Sequence, residues 1–413
     1  MVSFSGTAFA CLCMVIGSAA ARVARTLNSE NVCESRGSLA EYATYFDDQL
    51  RSKILPFWHT KVDYENGGYA LDEAKYIVEQ TRMIWTFSEA HLNGITVPGK
   101  DNLKAAAHGF DFVSSKMLDP VNGGYYWSID NQGNIKDSRK FMYGQAFVLY
   151  SFATYFKASG DSKAKNLALD LFRVLVNKAQ DTETGMGGWF EHFTADWTVL
   201  RNGNENDPVA PHGLKTANAI LHILEGLIPL LEVSGDDQVR SILERTVDTD
   251  MLLFFKSDPS GVVSQLDFKG NPVGRSDIYA HAVESAWLKV EAEVALGRQP
   301  DWGGFDTYMR FFISKGIDPS IGGIVETGEL VWWAQAEFIA AVALDKARRG
   351  GSEYDDALLK LVDFVACNMV DPSDGIWWWS VNSDGSIRDG RKVNKWKTGY
   401  HDVRGITMMI KAY

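Results

Sequence analysis

Five long stretches of the chain repeat apolar residues at three- and four-residue steps. "AKNLALDLFRVLVNKA" begins at Ala164, "LHILEGLIPLLEVSG" at Leu221, "AWLKVEAEVALG" at Ala286, "AEFIAAVALDKARRG" at Ala336 and "YDDALLKLVDFVACNMV" at Tyr354. That spacing gathers apolar side chains on one face of a helix. Several of the stretches end in Gly or in "SGD". Glycine accepts the left-handed backbone that stops a helix, so these are helix ends.

Between the helical stretches a turn signal recurs. "DYENGGY" starts at Asp63, "DPVNGGYYW" at Asp119, "DTETGMGGWF" at Asp181, "DPSGVV" at Asp258, "DPSIGGIV" at Asp318 and "DPSDGIWWW" at Asp371. Successive copies lie 56, 62, 77, 60 and 53 residues apart. Each is an Asp, a few turn residues, a glycine and an apolar or aromatic step. Asp, Pro and Gly set tight turns because Pro fixes φ and Gly accepts positive φ. A unit of this length holds two helices and a short hairpin, so the repeat predicts an all-α chain, an (α/α)6 barrel with six helices inside six. The longest interval contains "TADWTVLRNGNENDPVAPHG", read as a loop over one barrel mouth. No Pro-rich or charged linker divides the chain, and residues 35–413 read as a single barrel domain after an extension over 22–34.

Composition narrows the function. The 413 residues are 46% hydrophobic, enough for a sizeable core. A net charge of −12 argues against nucleic acid and anionic membrane surfaces as partners. Thirteen tryptophans stand out, because indole faces fill cores and also stack on sugar rings. No phosphate-binding glycine loop, zinc-type cysteine cluster or dinucleotide fingerprint occurs, so no cofactor is expected. The apolar run of "MVSFSGTAFACLCMVIGSAAARVAR" is shorter than the roughly 20 residues of a membrane span. Residues 1–21 are read as a signal peptide, though no Lys or Arg precedes the run. A secreted chain keeps Cys33 and Cys367. In a closed barrel its first and last helices are neighbours, so the two can meet, and the sequence leaves a disulfide and two unpaired thiols both open.

Four helical stretches carry polar residues where packing alone wants none. "EQTRMIWTFSEAH" places Arg82 three residues before Trp85. "LKTANAILHILEGL" puts Asn218 and His222 on one face, with Glu225 three residues on. "YAHAVESAWLKVEA" aligns His281, Glu284 and Trp287, and "ELVWWAQAEFIAA" aligns Trp333 and Glu337. A single buried histidine is commonly a satisfied core residue. Four mixed faces of charge and indole need partners, and a shared pocket supplies them.

These residues, in this order, resemble the N-acylglucosamine 2-epimerase superfamily, and its cellobiose 2-epimerase branch in particular. The match rests on "TRMIWTFS", "YGQAFVLYSFATYFKASGD", "KTANAILHILEG", "HAVESAW", "WWAQAEF" and "WKTGYHDVRG", from Trp58 to Arg404. The family fold is an (α/α)6 barrel, in agreement with the repeat. The resemblance implies that His281 and His401 are the catalytic acid/bases and that Arg82 holds a developing oxyanion. It implies that Tyr143, Asn218, His222, Glu284 and Glu337 bind sugar hydroxyls. Trp333 and Trp396 would stack on sugar rings, and Trp287 would line the pocket. Inverting C2 of an open-chain aldose needs a base on one face and an acid on the other, and histidine titrates in the range both roles require. The branch's second histidine, two residues before His222, is Ile220 here, and "YHDVRG" replaces "YHNGRA". Both changes put the substrate in question rather than the fold.

Four other readings remain open at this level. An aldose–ketose isomerase would share the enediolate and return the proton to C1. A glycoside hydrolase would need two carboxylates about one bond, drawn from Glu191, Glu284 and Glu337. A metal enzyme would use the His and Glu of "HILE" and "HAVE". A sugar-binding protein without catalysis is the fourth.

Overall fold

The computed structural model describes residues 25–27, 31–202 and 207–413 of the chain; the expected signal peptide, residues 1–21, lies outside them. Helix α1 (Leu39–Gln49) starts at Ser38, whose hydroxyl accepts the Glu41 N–H, and runs through a π turn into α2 (Leu55–His59) as one rod. Then follow α3 (Ile77–Leu92), α4 (Asn102–Phe112), α5 (Met142–Ser159), α6 (Ser162–Lys178), α7 (Ala217–Ser234) and α8 (Asp237–Arg245). The chain continues with α9 (Tyr279–Ala295), α10 (Trp302–Gly316), α11 (Trp332–Arg349), α12 (Asp355–Phe364) and α13 (Tyr400–Ala412).

The rods alternate between two rings. Helices α3, α5, α7, α9, α11 and α13 each touch the next, and α13 touches α3, which closes the inner ring. The α1–α2 rod and α4, α6, α8, α10 and α12 pack outside it. This is the (α/α)6 barrel that six turn signals predict. The sequence separates the rings by apolar coverage. Outer α6 buries a single stripe, Ala164, Ala168, Leu171, Phe172 and Leu175. Inner α7 is buried almost all round, from Ala217 to Leu231, and is long and apolar enough to pass for a membrane span. The "SGD" stops do two jobs. Gly160 and Gly235 end α5 and α7 in the left-handed region, at φ 72° and 60°, and the next residue, Asp161 or Asp236, caps the following outer helix.

The Asp of the turn signal is a clamp. After an outer helix, Asp63, Asp119, Asp181 and Asp371 each accept backbone N–H groups of their own turn. Each also receives a lysine ammonium: Lys75, Lys140, Lys215 and Lys392 respectively. The first three lysines are at most 1% exposed and stand just before α3, α5 and α7. At Asp119 burial acts to raise the carboxyl, but the Lys140 bond and the turn N–H groups bring it down to about 2. Asp318 holds Ser320 and Ser383 instead, and exposed Asp258 bonds only Ser260, so the fourth and fifth copies lack the cation. A second device repeats three times. Gln80, Gln145 and Gln335 each make both amide bonds to one backbone residue of a hairpin, Tyr69, Tyr125 and Ile324. Gly68 is required there: its φ is +66°, and a Cβ would stand 2.4 Å from Gln80 Oε1.

These hairpins, with two small three-stranded sheets, cover the end of the barrel where the inner helices begin. The long loop after Phe193 joins them, because Trp197 is buried and donates its indole N–H to the carbonyls of Asn122 and Gly123. Cys33 and Cys367 are disulfide-bonded, with Cα atoms 5.5 Å apart, and so fasten the segment before α1 to the turn that extends α12.

Two outcomes follow for stability. Replacing Cys33 and Cys367 with Ser lowers the unfolding free energy by about 2–4 kcal/mol in urea titrations. Glu79 of α3 is pushed up from 4.5 to about 8 by burial. It is therefore protonated when folded and ionised when unfolded, so its contribution is whole below pH 4.5 and is lost as the pH rises through about 8. Glu79→Gln should flatten the fall in melting temperature over that window; an unchanged slope would count against burial as the cause.

Candidate active site

The inner helices bring their first turns together under the hairpins. Tyr143 is the second residue of α5, Asn218 the second of α7, His281 the third of α9, and Trp332 and Trp333 open α11. With Arg82, His222, Glu284, Trp379, Trp396 and His401 they line a cavity of ≈ 270 Å³. Helix N-termini carry partial positive charge, so the inner ring itself favours an anion here.

The charged groups form two layers. In the lower one, Arg404 of α13 is 3% exposed. Its guanidinium bonds Glu225 of α7, Glu284 of α9 at 3.1 Å and Glu337 of α11 at 2.6 Å. Three buried carboxylates about one cation cannot all ionise. Burial and the neighbouring Glu337 charge hold Glu284 well above the usual carboxylate range. For Glu337 burial is outweighed by Arg404 and the bond from His401, which bring it down to about 2. Glu225 is lowered in the same way by Arg404 and His222. Glu284 is therefore a protonated acid at the cavity wall, and the other two are anions beneath it.

Each histidine of the cavity gives its Nδ1 to a carboxylate. His401 lies 2.6 Å from Glu337 Oε1, His222 2.9 Å from Glu225 Oε2 and His281 3.0 Å from Glu326 Oε1. With Glu337 and Glu225 ionised, the Nδ1 of His401 and of His222 donates and Nε2 keeps a lone pair. Burial pushes His401 down to about 3 and lowers His222, so both rest neutral. Trp333 packs against both rings, 4.6 Å from the His281 ring and 5.7 Å from the His401 ring.

Arg82 differs from Arg404. It donates to Tyr143 Oη and to the Trp396 carbonyl, both at 2.7 Å, and its guanidinium lies over Phe147 and Tyr400. Among the described residues no carboxylate pairs with it, and its Nε is buried without a partner. The cavity thus holds a cation whose charge is not spent.

The family model for N-acylglucosamine 2-epimerase (GlcNAc 2-epimerase) matches residues 58–404. The chain belongs to that family. A cellobiose 2-epimerase of Ruminococcus albus is 28% identical over 381 residues, 86% of this chain and 95% of the relative. A D-mannose isomerase of Thermobifida fusca is 27% identical over 316 residues, 70% of this chain and 72% of the relative. The solved structure of cellobiose 2-epimerase from Spirochaeta thermophila superposes with a TM-score of 0.81 at 27% identity, covering 91% of this chain and 97% of the other. The chain is an enzyme of this class of carbohydrate epimerases and isomerases.

Within this family member, nine of the eleven expected site residues border the cavity: Arg82, Tyr143, Asn218, His222, His281, Glu284, Trp333, Trp396 and His401. Two do not. Glu337 is fully buried and bonds His401, Arg404 and the Trp287 indole N–H, so it holds other side chains rather than a sugar hydroxyl. Trp287 borders a separate cavity at the far end of the barrel axis, beside Trp85 and the other side of Arg404. Ile220, where the branch has its second histidine, is buried towards Gly188 and does not border the cavity. Sequence reasoning missed Trp332, Trp379, Glu326 and Arg404. Arg404 had a signal, its place one turn after His401 in "HDVR". Of the hydrolase candidates only Glu284 meets the cavity; Glu191 accepts the Tyr143 N–H and the Thr216 hydroxyl instead. Glu284, Glu337 and His401 are close enough to hold a metal ion, as are His222, Glu225 and Glu284, but Arg404 already bonds all three carboxylates as their cation.

Arg404→Met should be costly, since it leaves carboxylates buried without a counter-charge. A loss of about 3–5 kcal/mol in denaturant titrations is expected, and a loss under 1 kcal/mol would contradict the charge assignment.

Proposed function

We propose that the chain is a cofactor-independent 2-epimerase acting on the reducing-end aldose of a β-linked disaccharide of the cellobiose type. The observation that carries this is a pair of carboxylate-bound histidines on α9 and α13, both packed against Trp333, in one cavity with the uncompensated charge of Arg82. Protonated Glu284 gives its proton to the ring oxygen as the C1–O5 bond breaks, and the C1 hydroxyl gives its proton to the Nε2 lone pair of His401, which becomes imidazolium. His281 takes the C2 proton on Nε2, leaving an enediolate. Arg82, the Tyr143 hydroxyl and the helix N-termini stabilise that charge where it develops. His401, now imidazolium, returns that proton to the opposite face of C2, and ring closure gives the ring-hydroxyl proton back to Glu284 and the proton held by His281 to O1. Trp333, Trp396 and Trp379 offer indole faces to two sugar rings. The Ruminococcus and Spirochaeta relatives support the disaccharide. The Cys33–Cys367 bond supports a secretory, oxidising location.

The same cavity suits an aldose–ketose isomerase, and the Thermobifida relative favours keeping that reading. Heavy water separates the two. Epimerisation of cellobiose places solvent deuterium at C2 of the product, isomerisation places it at C1 of an aldose product, and hydrolysis labels no carbon. His401→Asn and His281→Asn should each lower turnover by about 10²-fold or more while substrate still binds. Near-normal epimerisation by both variants would return the search to the carboxylates.

A further inference from the structure

Glu326 sits on the loop between α10 and α11, in the turn Glu326-Thr327-Gly328-Glu329. The two glutamates exchange backbone hydrogen bonds at 2.8 and 3.0 Å. Both central residues have positive φ, 51° at Thr327 and 85° at Gly328. Such a turn prefers Asn-Gly, and a β-branched threonine in that conformation is strained. The strained turn sets one buried side chain. Glu326 Oε2 accepts the Ala280 N–H at 2.8 Å, and Oε1 lies 3.0 Å from His281 Nδ1. One carboxylate thus ties the first turn of α9 to the imidazole that projects from it.

We propose that Glu326 is the positioning residue of His281, an inference that rests on the epimerase reading above. It fixes the neutral ring as the Nδ1–H tautomer, so that Nε2 presents its lone pair to the cavity. When the C2–H bond breaks, the electron pair stays on the sugar and the proton bonds to Nε2. Glu326 holds the imidazolium through Nδ1–H.

The competing reading is a helix cap and nothing more, and two substitutions order oppositely under the two. In Glu326→Gln the amide oxygen still caps Ala280, and the amide NH₂ donates to Nδ1, which moves the ring proton to Nε2 and removes the base. In Glu326→Ala the cap is lost but no tautomer is imposed. Positioning predicts that Glu326→Gln keeps its melting temperature and KM but loses about 10²-fold or more in kcat. It also predicts that Glu326→Ala is the less stable and the more active of the two. A cap alone predicts Glu326→Ala to be worse on both counts, and that result overturns the proposal. Glu329→Gln, whose half-buried carboxylate pairs with Arg388 away from His281, is the unchanged control. Nitrogen NMR of histidine-labelled protein without substrate reads the tautomer directly, with His281→Asn giving the assignment. A swap of the protonated nitrogen in Glu326→Gln supports positioning even if no sugar is epimerised, whereas a wild-type ring protonated on Nε2 refutes it.

Discussion

The inner ring is held at its centre by one guanidinium. Arg404 of α13 reaches α7, α9 and α11 through Glu225, Glu284 and Glu337, so four of six inner helices meet on a single side chain. A buried ionic cluster of this kind adds little net stability over a hydrophobic core, because desolvation consumes the Coulombic gain. What it gives is a fixed distribution of protons. Glu337 as an anion sets the tautomer of His401, Glu225 does the same for His222, and the leftover proton settles on Glu284. The acid at the cavity wall and the neutral bases beside it are one electrostatic solution.

Above that cluster the barrel relies on repeated polar clamps. The Asp–Lys pairs and the Gln amides fasten the hairpins at Asp63, Asp119, Asp181 and Asp318 to the start of an inner helix, where reactive side chains stand. The site is therefore built on helix ends rather than on free loops. A base that must meet one carbon atom needs that rigidity, since small misplacements are expensive in rate.

The barrel was legible in the chain because its unit is local. An Asp turn, a glycine stop and two helical stripes lie within one unit, and six copies force closure. The cavity residues were legible where a helix face repeats them, as with Asn218 and His222 or His281 and Glu284. Partnership across helices was not. Nothing in the spacing of Glu337 says that it faces His401 and Arg404 instead of a ligand. Glu326 lies in a turn with no periodicity, and only the fold brings it to His281. The three consecutive tryptophans divide the same way: Trp377 is fully buried near Phe46, whereas Trp379 reaches the cavity.

Helix α7 carries a further meaning outside the folded state. Its eighteen residues are apolar enough to lodge in a bilayer, which is a hazard for a chain that crosses one unfolded. His222 and Glu225 fall near the middle of that stretch. A carboxylate at mid-membrane costs about 2.5–3.5 kcal/mol on insertion scales. The side chains that serve the cavity in the finished barrel thus also make α7 a poorer bilayer anchor than its apolar residues alone would.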